Sequence, residues 1–297
     1  MAILLEGVYA AGLSVLKEDL SLDIEKTIEH HEHLIKEGLN GTFFFGSTGQ
    51  SQLISIGEKK SLISKLNHSK NKDSFLLATG VNSLRDNIDL INHSFNNGFD
   101  TFLIMPPAYY MNNTHEGVYK FYANIIQRFP NIKIVLYNFQ KLSQYLFSPQ
   151  AVEKLVKDFP EVIRGCKDSS YNLYETLKIP GFSMLPGSET KLLHGLQNGA
   201  SGIISAVTNV TYRLAIKVYD DFKNNREQTV NDKLCAVRKA FDDTGNLISA
   251  LHSFMSVKDK SYERLLPPLT LLSSEKQKEL LNKLKELNFI PRKNIAV

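Results

Sequence analysis

The sequence predicts an α/β fold, a (β/α)8 barrel with a C-terminal helical extension. Three observations carry that expectation. Eight short apolar runs alternate with amphipathic segments, a pattern that argues for a closed barrel over an open sheet. Several runs, such as Thr101-Phe102-Leu103-Ile104-Met105, are continuously apolar, as strands covered on both faces require. The chain has 297 residues and is 42% hydrophobic. A barrel typically needs ~250 residues, so one barrel plus an appendage fits.

The strands fall near 3–10, 41–46, 75–80, 101–107, 133–138, 163–168, 183–187 and 202–206. Asp23 starts the first helix, with Ile24, Ile28, Leu34 and Ile35 inward, and Gly38 ends it. Ser55 and Glu58 form a capping box ahead of Leu62, Ile63 and Leu66. Ser83 caps a helix bearing Ile88, Ile91 and Phe95. Ser148-Pro149 supplies an N-cap and a first-turn proline before Val152, Leu155 and Val156. Strand-to-helix spacing shortens after residue 180. Beyond about residue 224 the β pattern stops. Helical stretches near 228–256 and 274–288 follow, separated by Pro267-Pro268. The second starts with the capping pair Ser274 and Gln277 and turns Leu280, Leu281, Leu284 and Leu287 inward. The division is therefore a barrel over 1–223 and a helical appendage over 224–297, with no low-complexity linker and no internal repeat.

Composition narrows the function. Net charge is +4, from 35 basic and 31 acidic residues. No basic stripe suggests nucleic acid, and the lysines near the C-terminus alternate with Glu275, Glu279 and Glu286 as on a solvated helix face. Cys166 and Cys235 make neither a disulfide framework nor a metal quartet, which suits a reducing compartment. The N-terminus lacks the features of a signal peptide, and no apolar run reaches ~18 residues, so the expectation is a cytoplasmic protein without a membrane span. No Gly-x-Gly-x-x-Gly follows an early strand, and there is no phosphate loop. His30, His31 and His33 lie together with Glu29 and Glu32. With no third ligand evident, they read as an exposed helix rather than a zinc site. His115 and His194 read as loop and helix residues that could support the mouth.

Chemistry concentrates at one end of the strands. Lys167 ends the run Val162-Ile163-Arg164-Gly165-Cys166-Lys167, which opens into the polar Asp168-Ser169-Ser170. Burial disfavours an ammonium and frees the amine for imine formation with a carbonyl. Strand alternation puts residues 163, 165 and 167 on one face, and Gly165 leaves volume where a small ketone fits. Tyr137 ends Lys133-Ile134-Val135-Leu136-Tyr137, and the turn Gly46-Ser47-Thr48-Gly49 follows Gly41-Thr42-Phe43-Phe44-Phe45. Each feature alone is weak. In a barrel all three converge on the C-terminal mouth, where such folds carry their active sites.

Taken in order, these motifs resemble the family of dihydrodipicolinate synthases and N-acetylneuraminate lyases, pyruvate-dependent class I aldolases on a TIM barrel. Gly46-Ser47-Thr48-Gly49-Gln50 is similar to the family's Gly-Ser/Thr-Thr-Gly-Glu turn. Pro106-Pro107-Ala108-Tyr109-Tyr110 with Glu116-Gly117 resembles its fourth-strand loop, and Tyr137-Asn138 its catalytic tyrosine motif. Gly165-Cys166-Lys167-Asp168-Ser169-Ser170 resembles its Schiff-base motif, and Gly187-Ser188-Glu189 and Gly202-Ile203-Ile204-Ser205 its last substrate-facing turns. The resemblance implies that Lys167 forms an imine with pyruvate or another 2-keto acid. It implies that Ser47 and Thr48 hold the keto acid carboxylate and that Tyr137 moves protons between the hydroxyl turn and the substrate. It further implies that Tyr110 completes this relay across a dimer interface, that the Ile204 carbonyl meets the imine region, that the enzyme is a homotetramer built as a dimer of dimers, and that no metal or organic cofactor is needed.

Departures from the family's pattern bear on the substrate. Dihydrodipicolinate synthases carry Tyr-Asn-x-Pro-x-Arg, whose arginine pairs with a distal carboxylate. Here the run is Tyr137-Asn138-Phe139-Gln140-Lys141-Leu142-Ser143, with leucine in that place. Lys141 points to the other face if the segment stays extended. Leu-Ser resembles the lyase branch, whose substrates are N-acetylneuraminate or 2-keto-3-deoxy sugar acids. Ser143, Ser188, Glu189, Thr190 and Ser205 then supply partners for a polyol tail, although Ser188 also suits a helix cap. Gln140 and Gln50 stand where the family has proline and glutamate. The expected reaction is cleavage or formation of a 2-keto-3-deoxy acid from pyruvate and an aldehyde. The alternatives are condensation of pyruvate with aspartate semialdehyde, a dehydratase using the same imine, and a catalytically silent keto-acid-binding barrel.

Overall fold

The computed structural model describes residues 4–291. Eight parallel strands run β1 Gly7–Ala11, β2 Gly41–Phe44, β3 Phe75–Ala78, β4 Thr101–Ile104, β5 Lys133–Asn138, β6 Ile163–Asp168, β7 Ser183–Pro186 and β8 Gly202–Ser205. Hydrogen-bonded neighbours follow the order β7-β6-β5-β4-β3-β2-β1-β8. At the seam, the Ser201 N–H donates to the Met184 carbonyl at 2.9 Å, and the TIM barrel is nearly closed. The expected β1 reached back to Ile3, which lies outside the described residues, as do 292–297 of the expected appendage.

The helices are α1 Ile24–Lys36, α2 Ile56–Leu66, α3 Leu84–Asn96, α4 His115–Arg128, α5 Gln140–Ser143, α6 Pro149–Asp158, α7 Leu192–Gln197, α8 Thr208–Lys223, α9 Asn231–Asp242, α10 Leu247–Ser256 and α11 Ser274–Glu286. Asp23, Ser55, Ser83 and Ser148 cap α1, α2, α3 and α6 through their side chains, and Ser55 with Glu58 closes the capping box. Three expectations need correction. The stretch near 228–256 is two helices, broken at Gly245, whose φ of 88° belongs to the left-handed region. The cap of α11 is Ser273, whose hydroxyl accepts the Lys276 N–H. Phe95 is exposed rather than inward. Between β6 and β7 the chain makes turns instead of a helix.

Two layers of apolar packing hold the barrel. Tyr9, Ala11, Phe43, Leu103, Val135, Tyr137, Leu185 and Ile204 fill its interior. Alternate residues such as Phe102, Ile104, Ile134, Leu136 and Cys166 pack outward against the helices. The C-terminal helices share a core with the barrel, since Val237, Phe241, Leu251 and Leu284 pack with Leu13, Val15 and Val207. Among the described residues no helix is long and apolar enough to cross a membrane.

The expectation of an exposed histidine helix holds for His33 and fails for the other two histidines. His30 and His31 are buried. His30 Nε2 lies 2.7 Å from Asn209 Oδ1, and its Nδ1 meets the Tyr262 hydroxyl at 2.8 Å. The Asn209 amide already donates to the Ala11 and Ala206 carbonyls, so His30 Nε2 is the donor and Nδ1 accepts from Tyr262. His31 stacks on Phe44 at 3.5 Å between ring centroids. These partners come from other elements, which is why local polarity misled.

Candidate active site

The β5–β6 pairing builds the centre. Tyr137 is the register partner of Lys167. Lys167 is 3% exposed, and its Nζ stands 4.4 Å from the centroid of the Tyr137 ring. No carboxylate pairs with that amine among the described residues. The Tyr137 hydroxyl is 3.1 Å from Ser47 Oγ, so amine, phenol and hydroxyl form one chain.

A bulge sets the aim of Lys167. Ile134 pairs with Ile163 but Val135 pairs with Gly165, leaving Arg164 as the extra residue. Ile163 accordingly packs in the outer layer rather than on the face of Lys167, which corrects the simple alternation. Gly165 does not leave room for a ketone either. A Cβ there would lie 2.7 Å from the Ser183 carbonyl oxygen, so the glycine admits the backbone of β7.

The hydroxyl turn is a 3-10 turn over Ser47–Gly49 with left-handed residues on either side, Phe45 at φ 59° and Gln50 at φ 57°. Ser14 Oγ donates to the Gly49 carbonyl at 2.8 Å. Behind the turn, buried Lys59 donates to the Thr79 and Gly80 carbonyls at 3.0 Å each and lies over the Phe45 ring. Burial pushes its amine down to about 8. On the β6 side, Asp168 accepts the N–H groups of Tyr171, Leu173 and Tyr174, and Asn138 donates to it at 2.9 Å. These bonds fasten the loop that follows Lys167.

The mouth encloses a cavity of about 750 Å³. Of the residues expected in the site, Ser47, Thr48, Tyr137, Lys167 and Gly187 line it together. Gly187 permits close approach, because a Cβ there would fall 2.1 Å from Ser169 Oγ. The others stand elsewhere. Ser143 Oγ faces the Phe139 and Tyr145 carbonyls, away from the cavity. Ser188 caps the Thr190 N–H. Glu189 and Ser205 are buried behind the wall, where Ser205 Oγ donates to Glu189 Oε2 at 2.7 Å. The Ile204 side chain points into the barrel interior and Ala206 lines the cavity, whereas the expected contact of Ile204 is through its carbonyl, which the side-chain direction does not place. Tyr110 is 71% exposed on the loop after β4 and does not line the cavity. His115 bonds the Tyr145 hydroxyl at 2.6 Å, and His194 pairs with Glu175, both away from the cavity.

Sequence reading missed much of the lining. Tyr171, Arg238, Asp242 and Leu247 all face the cavity, as does Leu142, which the sequence had already set in the place of the synthase arginine. Lys141 lines it too, because the segment is helical rather than extended. Arg238, Asp242 and Leu247 belong to the appendage helices α9 and α10, and nothing local in those amphipathic stretches points to a barrel mouth. Among the described residues no cluster of histidine, cysteine and acidic side chains could hold a metal.

A family model described as the dihydrodipicolinate synthetase family matches residues 4–287. The chain belongs to that family. It is 28% identical over 287 residues to an uncharacterized DapA-like lyase of Thermococcus kodakarensis, covering 93% of this chain and 97% of that one. It is 28% identical over 214 residues to a 2-dehydro-3-deoxy-D-gluconate/2-dehydro-3-deoxy-phosphogluconate aldolase of Picrophilus torridus, covering 68% of this chain and 78% of that one. Among solved structures, YagE of E. coli K12 in complex with pyruvate superposes with a TM-score of 0.87 at 21% identity, over 97% of this chain and 100% of that one. Members of the family are class I aldolases and lyases, and this chain is an enzyme of that class.

Proposed function

We propose that this enzyme cleaves, and in reverse forms, a 2-keto-3-deoxy acid, giving pyruvate and an aldehyde through an imine on Lys167. The observation that carries the reading is the buried Lys167 amine 4.4 Å from the ring of Tyr137, whose hydroxyl is in turn 3.1 Å from Ser47 Oγ.

Ser47 and Thr48, with their own backbone N–H groups, hold the keto acid carboxylate. Lys167 Nζ attacks the C2 carbonyl, and water leaves as the protonated imine forms. Tyr137 then accepts the proton of the C4 hydroxyl as the C3–C4 bond breaks. That electron pair moves into the imine, giving an enamine and releasing the aldehyde. Protonation at C3 and hydrolysis return pyruvate and the free amine.

Leu142 supports the lyase branch. It lines the cavity at the position where a synthase has its carboxylate-binding arginine, so that anchor for a second carboxylate is missing. Tyr110 enters this reading from a second copy. Tyr109, Tyr110 and Met111 are all largely exposed on one loop, as suits a dimer contact that brings a phenol to the neighbouring mouth, within a homotetramer. The deciding experiment is a panel of aldehydes offered with pyruvate. Turnover with sugar-derived aldehydes supports the reading. Robust turnover with aspartate semialdehyde alone would replace it with the synthase, and turnover with neither would favour a silent binding barrel.

A further inference from the structure

The wall of the cavity beside β7 and β8 comes from the appendage. Arg238 Nη1 donates to Glu189 Oε2 at 2.7 Å and to Ser205 Oγ at 3.0 Å, and Arg238 Nε donates to both carboxylate oxygens of Asp242 at 3.0 Å. Glu189 is fully buried, whereas Asp242 is half-exposed and, like Arg238, lines the cavity. One guanidinium therefore serves two carboxylates, and this wall carries one more negative charge than positive. Burial works against the charge on Arg238, but Glu189 and Asp242 outweigh it and raise its pKa.

Binding a phosphate group takes unpaired arginine or lysine donors, or a concavity of backbone N–H groups. At the N-terminus of α10, which lines the cavity, the Ile248 and Ser249 N–H groups already donate to Asn246 Oδ1. Among the described lining residues, Lys167 is reserved for the keto group and Arg238 is already paired. The remaining cation, Lys141, stands in solvent on the turn after β5, where screening leaves an exposed charge little hold on a ligand.

We propose that the Arg238–Asp242 wall selects an uncharged polyhydroxylated aldehyde half and turns away one that ends in phosphate. Asp242 is the specificity-determining residue, because its carboxylate both occupies Arg238 and repels an anionic tail. Hydroxyl groups, by contrast, can donate to Asp242 without disturbing the pair. The question is a real one within the family, since the Picrophilus torridus relative is named for both the plain and the phosphorylated sugar acid. The inference rests on the keto acid cleavage proposed above.

The test compares kcat/KM for cleavage of 2-keto-3-deoxygluconate and of its terminal phosphate ester. The expected result is a preference of about tenfold or more for the unphosphorylated acid. Asp242→Asn should narrow that preference by about tenfold, chiefly through a lower KM for the phosphate ester, while Asp242→Glu should retain it. Equal or better cleavage of the ester by the unaltered enzyme would overturn the proposal. So would a ratio that Asp242→Asn leaves unmoved, or cleavage of neither compound. Borohydride reduction with pyruvate, run on the same preparation, tells whether the imine reading fails as well or only this account of the wall.

Discussion

Gln50 Oε1 accepts the backbone N–H of Leu266 at 2.7 Å across 216 residues of sequence. The bond ties the residue that ends the hydroxyl turn to the segment just before Pro267-Pro268. Gln50 is buried, so removing its side chain leaves the Leu266 N–H without a partner. Gln50→Ala should cost about 1–3 kcal/mol of stability, read by denaturant unfolding. The KM for pyruvate should rise with it, because Ser47 and Thr48 sit on the loosened turn.

Tyr137→Phe separates imine formation from proton transfer. The ring that faces the Lys167 amine is kept, and only the hydroxyl bonded to Ser47 is lost. Cleavage should fall by about 100- to 10,000-fold, while pyruvate remains trappable on Lys167 by borohydride. Steady-state kinetics and intact mass of the same variant check both halves.

Acid should unfold the protein through its buried histidines. Burial holds His30 and His252 at about 4 and His31 well below the ordinary 6.5. The folded state keeps these rings neutral, whereas the unfolded chain takes up protons below about 6.5. Their stabilisation is therefore full above pH 6.5 and is lost as pH falls from there toward 4. Each ring contributes a slope of up to roughly 1.4 kcal/mol per pH unit in that window. His252→Asn keeps a donor for the Tyr262 carbonyl, which His252 Nδ1 meets at 3.0 Å, and should flatten the slope by about one proton. Unfolding free energies at several pH values between 7.5 and 5 provide the check.

Gly187→Ala should strain the meeting of the loops after β6 and β7. The new Cβ would fall 2.1 Å from Ser169 Oγ and 2.9 Å from Ser169 Cβ. Overpacking of this kind costs about 1–3 kcal/mol. Because Ser169 lies two residues past Lys167, activity should fall as well. Ser169→Gly in the same chain should recover part of both losses, which a double-mutant cycle measures.

The legible parts of the fold are those with local causes. The apolar runs place all eight strands within a few residues, because a parallel strand buried on both faces excludes polar side chains from its middle. The caps Asp23, Ser55, Ser83 and Ser148 act through neighbouring backbone N–H groups, so sequence alone shows them. Lys167, Tyr137 and the turn at Ser47 could be brought together because each ends a strand, and a barrel assigns all strand ends to one mouth. The misreadings have distant causes. His30 looks solvated until Asn209 and Tyr262 arrive from 179 and 232 residues away. Glu189 looks like a substrate ligand until Arg238 arrives from α9 and engages it. The bulge at Arg164 depends on the register of β5 against β6, which no pattern within β6 reveals.

The central claim is that one buried amine makes a covalent bond to the keto acid. The most direct measurement is peptide mass spectrometry after borohydride reduction in the presence of pyruvate. A reduced pyruvyl group confined to the peptide carrying Lys167, and absent from a Lys167→Ala chain that no longer cleaves substrate, is the predicted result. Folded protein that gains no adduct, or Lys167→Ala enzyme that cleaves at the original rate, would contradict it.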